Sequence, residues 1–147
     1  MSESHETPEA IFKRAADRAR QMGLPYAGAV TPAEAHRLHA LSAAKVVDVR
    51  TPPEYTQVGH VPGTPLVVWP RDGDDTSLAT FVEQMQDQVA ADEPVLLLCR
   101  SGARSLNAAH LLTHNGFSRA YNILEGFEGP PNSGKGWLAA GLPSERG

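Results

Sequence analysis

A chain of 147 residues that is 41 % hydrophobic has room for one globular domain and the apolar content to fill it. Glycine and proline together make up about 17 %, below the level of low-complexity chains, which excludes a collagen-like or wholly disordered protein. The formal net charge of −4 argues against a broad nucleic-acid-binding face, and a single cysteine, Cys99, excludes an internal disulfide and a CxxC redox pair.

The N-terminus is acidic where a signal peptide needs basic residues followed by an apolar run. No stretch approaches the roughly 18 apolar residues of a membrane-spanning helix. The expectation is a soluble, cytoplasmic protein with no membrane partner, its lone thiol kept free in a reducing compartment.

Residues 1–24 read as an N-terminal helical extension and residues 25–147 as the domain. Between Glu6 and Met22, helical spacing places Ile11, Phe12, Ala15, Ala16 and Ala19 on one face. Lys13, Arg14, Asp17, Arg18 and Arg20 fall on the other. The apolar face suits packing on the domain, or on a second copy of the chain as in a homodimer. Thr31-Pro32-Ala33-Glu34 combines a capping threonine, a proline at the first helical position and a capping-box glutamate, which predicts a helix to about Ser42.

Lys45 to Arg50 is a β-branched strand stopped at Thr51-Pro52-Pro53. Leu66 to Trp69 is a second short strand, closed by Pro70. An acidic loop spans Arg71 to Asp75. Phe81, Val82, Met85 and Val89 then keep helical spacing to about Ala91. Val95 to Leu98 is a continuous apolar run, as in a parallel strand buried on both faces. A helix is predicted from Gly102 to His114, with Asn115-Gly116 as its stop. Tyr121 to Leu124 is another strand, 126–136 a loop, and Trp137 to Ala140 a final short helix. Strands alternating with helices imply an α/β fold with a mostly parallel sheet and helices on both faces. Ligands of such sheets sit beyond the carboxyl ends of the strands.

That rule points to Cys99-Arg100-Ser101-Gly102-Ala103-Arg104-Ser105. A buried strand delivers a cysteine to its end, a short loop follows, and a helix begins. Inward amides, a helix N-terminus, and the charges of Arg100 and Arg104 all favour thiolate over thiol. The same donors suit an incoming oxyanion. Gly102 fits a position where the chain curls with little bulk.

The cysteine loop resembles the active-site loop of rhodanese-type sulfurtransferases. Val46 to Arg50, Pro53-Glu54-Tyr55 and Gly59-His60-Val61-Pro62-Gly63 are similar to that family's early signatures. Leu124-Glu125-Gly126 and Trp137 to Pro143 resemble its ending. The resemblance, over about residues 28–143, implies a rhodanese-like fold with a central five-stranded sheet. It implies a thiosulfate sulfurtransferase in which Cys99 takes sulfur from a small sulfur-containing anion, becomes a persulfide, and passes the sulfur to cyanide, a thiol or a carrier protein. Arg100, Ser101, Gly102, Ala103 and Arg104 would cradle the anion, and Asp48 and Arg50 would support the site. No metal or organic cofactor is implied. From the residues alone, Asp48 needs a partner for a mid-strand charge. Arg50 and Glu54 are spaced to pair across a turn, and His60 reads as a hydrogen-bonded turn residue.

Four rival readings compete with this one. In the resemblance, phosphatases and arsenate reductases place arginine six positions after the cysteine, whereas Arg104 comes five after Cys99. Gly129 to Gly136 nearly spells a phosphate-binding loop but lacks the final Ser or Thr. The pairs His36/His39 and His110/His114 are too few for zinc, which takes three or four protein ligands. The fourth is a non-enzymatic rhodanese-like sensor or interaction module.

Overall fold

Four short, largely buried strands make the sheet. In this computed structural model, which describes residues 6–147, they are β1 (Gly28–Val30), β2 (Lys45–Asp48), β3 (Val95–Leu98) and β4 (Ala120–Ile123). The order is β1-β4-β3-β2 and every pairing is parallel. Residues 1–5, the start of the expected 1–24 extension, lie outside the described residues.

Strands β1 and β3 read as continuous apolar runs because both faces are covered. Val47, Leu97 and Cys99 join Phe81, Met85, Ala108, Leu112 and Phe117 in one core layer. Val46, Leu96, Leu98, Tyr121 and Ile123 join Ile11, Ala15, Ala35, Leu38, Phe127 and Trp137 in the other. The first layer is roofed by α3 (Asp75–Gln88) and α4 (Ala103–His114), the second by α1 (Pro8–Met22) and α2 (Pro32–Ala40). Among the described residues no helix is long and apolar enough to cross a membrane.

The helix starts follow from their caps. Thr31 accepts from the Glu34 amide, and Glu34 accepts in return from the Thr31 amide. Asp74, inside the expected acidic loop, caps α3 through the Ser77 amide. Glu34 also receives Arg18 and Arg14 from α1. Burial pushes its carboxyl up, but the hydrogen bonds from Arg18, the Thr31 amide and Arg14 outweigh that and hold it below its ordinary value. Part of the charged face of α1 is therefore a docking contact with α2.

Three expectations need correction. The sheet has four strands, not five: Leu66 makes a single parallel bridge with Asp48. Pro65 supplies no amide hydrogen on one side, and on the other the Arg50 N–H turns to Asp48 Oδ1 while the Trp69 N–H reaches Val49 O, so the ladder does not extend. Trp137 to Ala140 is one turn, not a helix: Ala140 N–H reaches Gly136 O, then Gly141 ends it. The buried Trp137 ring instead donates Nε1–H to Pro143 O at 2.7 Å. Strand β1 is not among the expected elements, since three residues carry no periodicity.

Candidate functional site

Cys99 follows the last residue of β3, and the chain turns through Arg100-Ser101-Gly102 into α4. Gly102 has φ +107° and gives α4 no side-chain cap. The first-turn amides of α4 therefore keep their donors, with the positive end of the helix dipole behind them. The Gly102 N–H donates to Cys99 Sγ at 3.0 Å, and Ser105 Oγ stands 3.3 Å from the same sulfur.

A second segment fixes the outside of the loop. Phe127 N–H donates to Cys99 O at 2.8 Å, and the amides of Glu128 and Gly129 donate to Arg100 O at 3.0 and 3.2 Å. In a trans peptide the C=O and the following N–H point in opposite directions. Binding these two carbonyls to 127–129 therefore turns the amides of Arg100 and Ser101 away from that segment. Gly126 makes the contact feasible: its φ is +69°, and a Cβ there would stand 2.5 Å from Arg100 O.

Ser105 also bonds Asn122 Oδ1 at 2.5 Å, and Asn122 Nδ2 reaches towards Gly102 O at 3.4 Å. A hydroxyl has one proton, so Ser105 donates to Asn122 or to the sulfur, not to both. Burial pushes the Tyr26 phenol up, a rise partly offset by its hydrogen bond with Asn122. Cys99, Ser105, Asn122 and Tyr26 form a buried polar cluster behind the sulfur. Cys99 itself is 1 % exposed.

The two loop arginines are not free charges. Arg104 gives Nη1 and Nη2 to Glu54 Oε1 and Oε2 at 2.8 and 2.9 Å, and Arg100 Nε lies 3.5 Å from Glu128 Oε2. The expected Arg50–Glu54 pair does not form. Arg50 turns back onto Asp48, with Nε 2.9 Å from Oδ1 and Nη2 2.7 Å from Oδ2, both residues fully buried. Its Nη2 also donates to Gly59 O at 2.6 Å, and its guanidinium lies 4.3 Å from the centre of the Phe127 ring. Asp48 and Arg50 thus sit beneath the segment that clasps the cysteine loop. His60 bonds Tyr55 O through Nδ1 and Glu145 through Nε2.

Glu54 reaches Arg104 from a π-helical turn, Glu54–Val58, that the prolines at 52 and 53 concealed. Its Oε1 also accepts the Thr51 N–H and hydroxyl, both at 3.0 Å. Thr51-Pro52-Pro53-Glu54 thus repeats the helix-start pattern of Thr31 to Glu34. That repeat was the overlooked signal. Asn122, a lone amide within a buried strand, was the other.

The Arg104 hydrogen bonds, against the opposing pull of burial and with help from Thr51, hold the Glu54 carboxyl down at about 2. A carboxyl held below its unfolded value stabilises the fold above that value and loses the contribution as pH falls through the folded one. Acid titration followed by circular dichroism should therefore show loss between pH 4.5 and about 2. Glu54→Gln should flatten that part of the curve. An identical slope in both proteins would mean the pair contributes nothing.

Residues 129–136 form a loop followed by a single turn, so no helix begins at their end as a phosphate-binding loop requires. His110 and His114 approach to 2.9 Å between Nε2 atoms on the exposed face of α4, and His39 bonds Pro62 O.

The family model described as "Rhodanese-like domain" matches residues 31–129. An uncharacterised protein of Rickettsia conorii is 39 % identical over 105 residues, covering 68 % of this chain and 81 % of that one. The chloroplastic thiosulfate sulfurtransferase 16 of Arabidopsis thaliana is 30 % identical over 107 residues, covering 71 % and 82 %. Among solved structures, Rv0390 from M. tuberculosis is 36 % identical with a TM-score of 0.70, covering 83 % of this chain and 99 % of that one.

Proposed function

The chain belongs to the rhodanese-like domain family, and we propose that it is a sulfurtransferase that carries sulfane sulfur on Cys99. One observation carries the reading. The lone thiol sulfur stands at the carboxyl end of β3 against an uncapped helix N-terminus, with the Gly102 N–H 3.0 Å away. Amides aimed at sulfur stabilise the negative charge of the persulfide that reaction leaves there. The name of the Arabidopsis relative supports a donor of the thiosulfate class.

In the first half-reaction the Cys99 thiolate attacks the outer sulfur of the donor. The donor's sulfur–sulfur bond breaks, its electron pair leaves with sulfite, and Cys99 keeps a persulfide anion. In the second, a nucleophilic acceptor such as cyanide or a thiol attacks the terminal sulfur and restores the thiolate. Two half-reactions through a covalent intermediate give ping-pong kinetics. Ser101, Gly102 and Ala103 supply backbone around the sulfur. Arg100 and Arg104 tie the loop to Glu128 and Glu54, and the Asp48–Arg50 pair supports its base. With one cysteine in the chain, the sulfur is handed to another molecule.

Mass spectrometry after mixing with thiosulfate tests this. The chain should gain one sulfur atom, located at Cys99 and released by a thiol. No gain from thiosulfate or from any other sulfane donor would reject the enzyme and favour a rhodanese-like interaction module. Turnover of a phosphate ester would favour a phosphatase.

A further inference from the structure

The charge around Cys99 is balanced. Arg104 is matched by two hydrogen bonds to Glu54 and the buried Arg50 by Asp48, while Arg100, largely exposed, lies 3.5 Å from Glu128. Glu54 is not a passing rim residue. Both its oxygens bind Arg104, and Thr51 pins Oε1 with an amide and a hydroxyl. The loop is left to hold anions with backbone dipoles rather than with surplus formal charge.

These two kinds of attraction scale differently. The cost of stripping water from an ion rises with the square of its charge, whereas its attraction to fixed dipoles rises only linearly. Repulsion from the Cys99 thiolate also doubles between a singly and a doubly charged donor. A dianion gains on a monoanion only where an uncancelled cation waits for it, and Glu54 removes that cation.

Resting on the sulfurtransferase reading, we propose that Glu54 sets the charge class of the donor. The site takes singly charged sulfane donors of the thiosulfonate type in preference to doubly charged thiosulfate. With methanethiosulfonate, the Cys99 thiolate attacks the terminal sulfur and the bond from that sulfur to the sulfonyl group breaks. Methanesulfinate leaves with the electron pair, and the persulfide anion remains.

The test compares kcat/KM for methanethiosulfonate and thiosulfate, with cyanide as the common acceptor, in the wild-type chain, Glu54→Gln and Glu54→Asp. The wild type should favour methanethiosulfonate. Glu54→Gln should improve thiosulfate relative to methanethiosulfonate by about tenfold, as one uncancelled charge near the site allows. Glu54→Asp, which keeps the charge, should retain the wild-type ratio. A wild-type preference for thiosulfate, or one ratio shared by wild type and a folded Glu54→Gln, overturns the proposal.

Should Glu54→Gln fail to fold, the salt dependence of wild-type turnover on thiosulfate decides. A neutral site gives a flat profile, and a steep fall with salt overturns the inference. Should neither donor react, the sulfurtransferase reading falls separately. Modification of Cys99 by anionic iodoacetate relative to neutral iodoacetamide then reports the role of Glu54. A ratio raised by Glu54→Gln upholds it, whereas an unchanged ratio or no modification overturns it.

Discussion

Replacing Cys99 with serine is expected to reduce sulfur transfer to the uncatalysed background while leaving the chain folded. An alkoxide is a far poorer nucleophile towards sulfane sulfur than a thiolate, and a serine hydroxyl is not ionised at neutral pH. The sulfur's neighbours are donors that an oxygen also accepts: the Gly102 amide and the Ser105 hydroxyl. The stability cost should therefore be about 1 kcal/mol, the order of one rearranged buried hydrogen bond. Steady-state turnover and chemical denaturation of the two proteins check both halves. Measurable turnover in folded Cys99→Ser would remove Cys99 from the chemistry, and an unfolded variant would make the comparison one of stability. Cys99→Ala then supplies the second test, since it removes the reacting atom without adding a polar group to a buried position.

The parts of the fold that were legible in the sequence are those set by local rules. Val95 to Leu98 declared a strand covered on both faces, and Thr31 to Glu34 declared a helix start. The position of Cys99 at a strand end followed from reading the apolar run as a strand. The pairings of charged residues were not legible, because they depend on which strands become neighbours. Arg50 and Glu54 are four apart, yet Arg50 folds back on Asp48 and Glu54 crosses to Arg104, fifty residues on. Parallel pairing of β2 with β3 creates that second contact, and no local spacing encodes it. The same limit hid the clasp at 126–129. Its carbonyl partners are Cys99 and Arg100, and only the pairing of β3 with β4 brings the two segments together.

Removing Asp48 should damage the fold far more than replacing the sulfur does. Arg50 and Asp48 are both 0 % exposed, and the carboxylate satisfies the Arg50 backbone amide as well as its guanidinium. Among the described residues, Arg50 Nη1 already has no hydrogen-bond partner, so no spare acceptor stands ready. Asp48→Ala strands a full cation in a dry interior, which typically costs about 3–5 kcal/mol. Much of that penalty belongs to the orphaned charge rather than to the lost attraction. The double variant Asp48→Ala/Arg50→Met should therefore recover a large part of the loss, since it leaves no charge to solvate. Urea denaturation of the two variants separates the contributions. A loss below about 1 kcal/mol in Asp48→Ala would place the pair among surface-like interactions despite its burial. The consequence should reach the site. Arg50 packs on the Phe127 ring, and the Phe127 amide holds the carbonyl of Cys99. A rescued fold with a thioether side chain in place of the guanidinium should then keep its stability better than its rate of sulfur transfer.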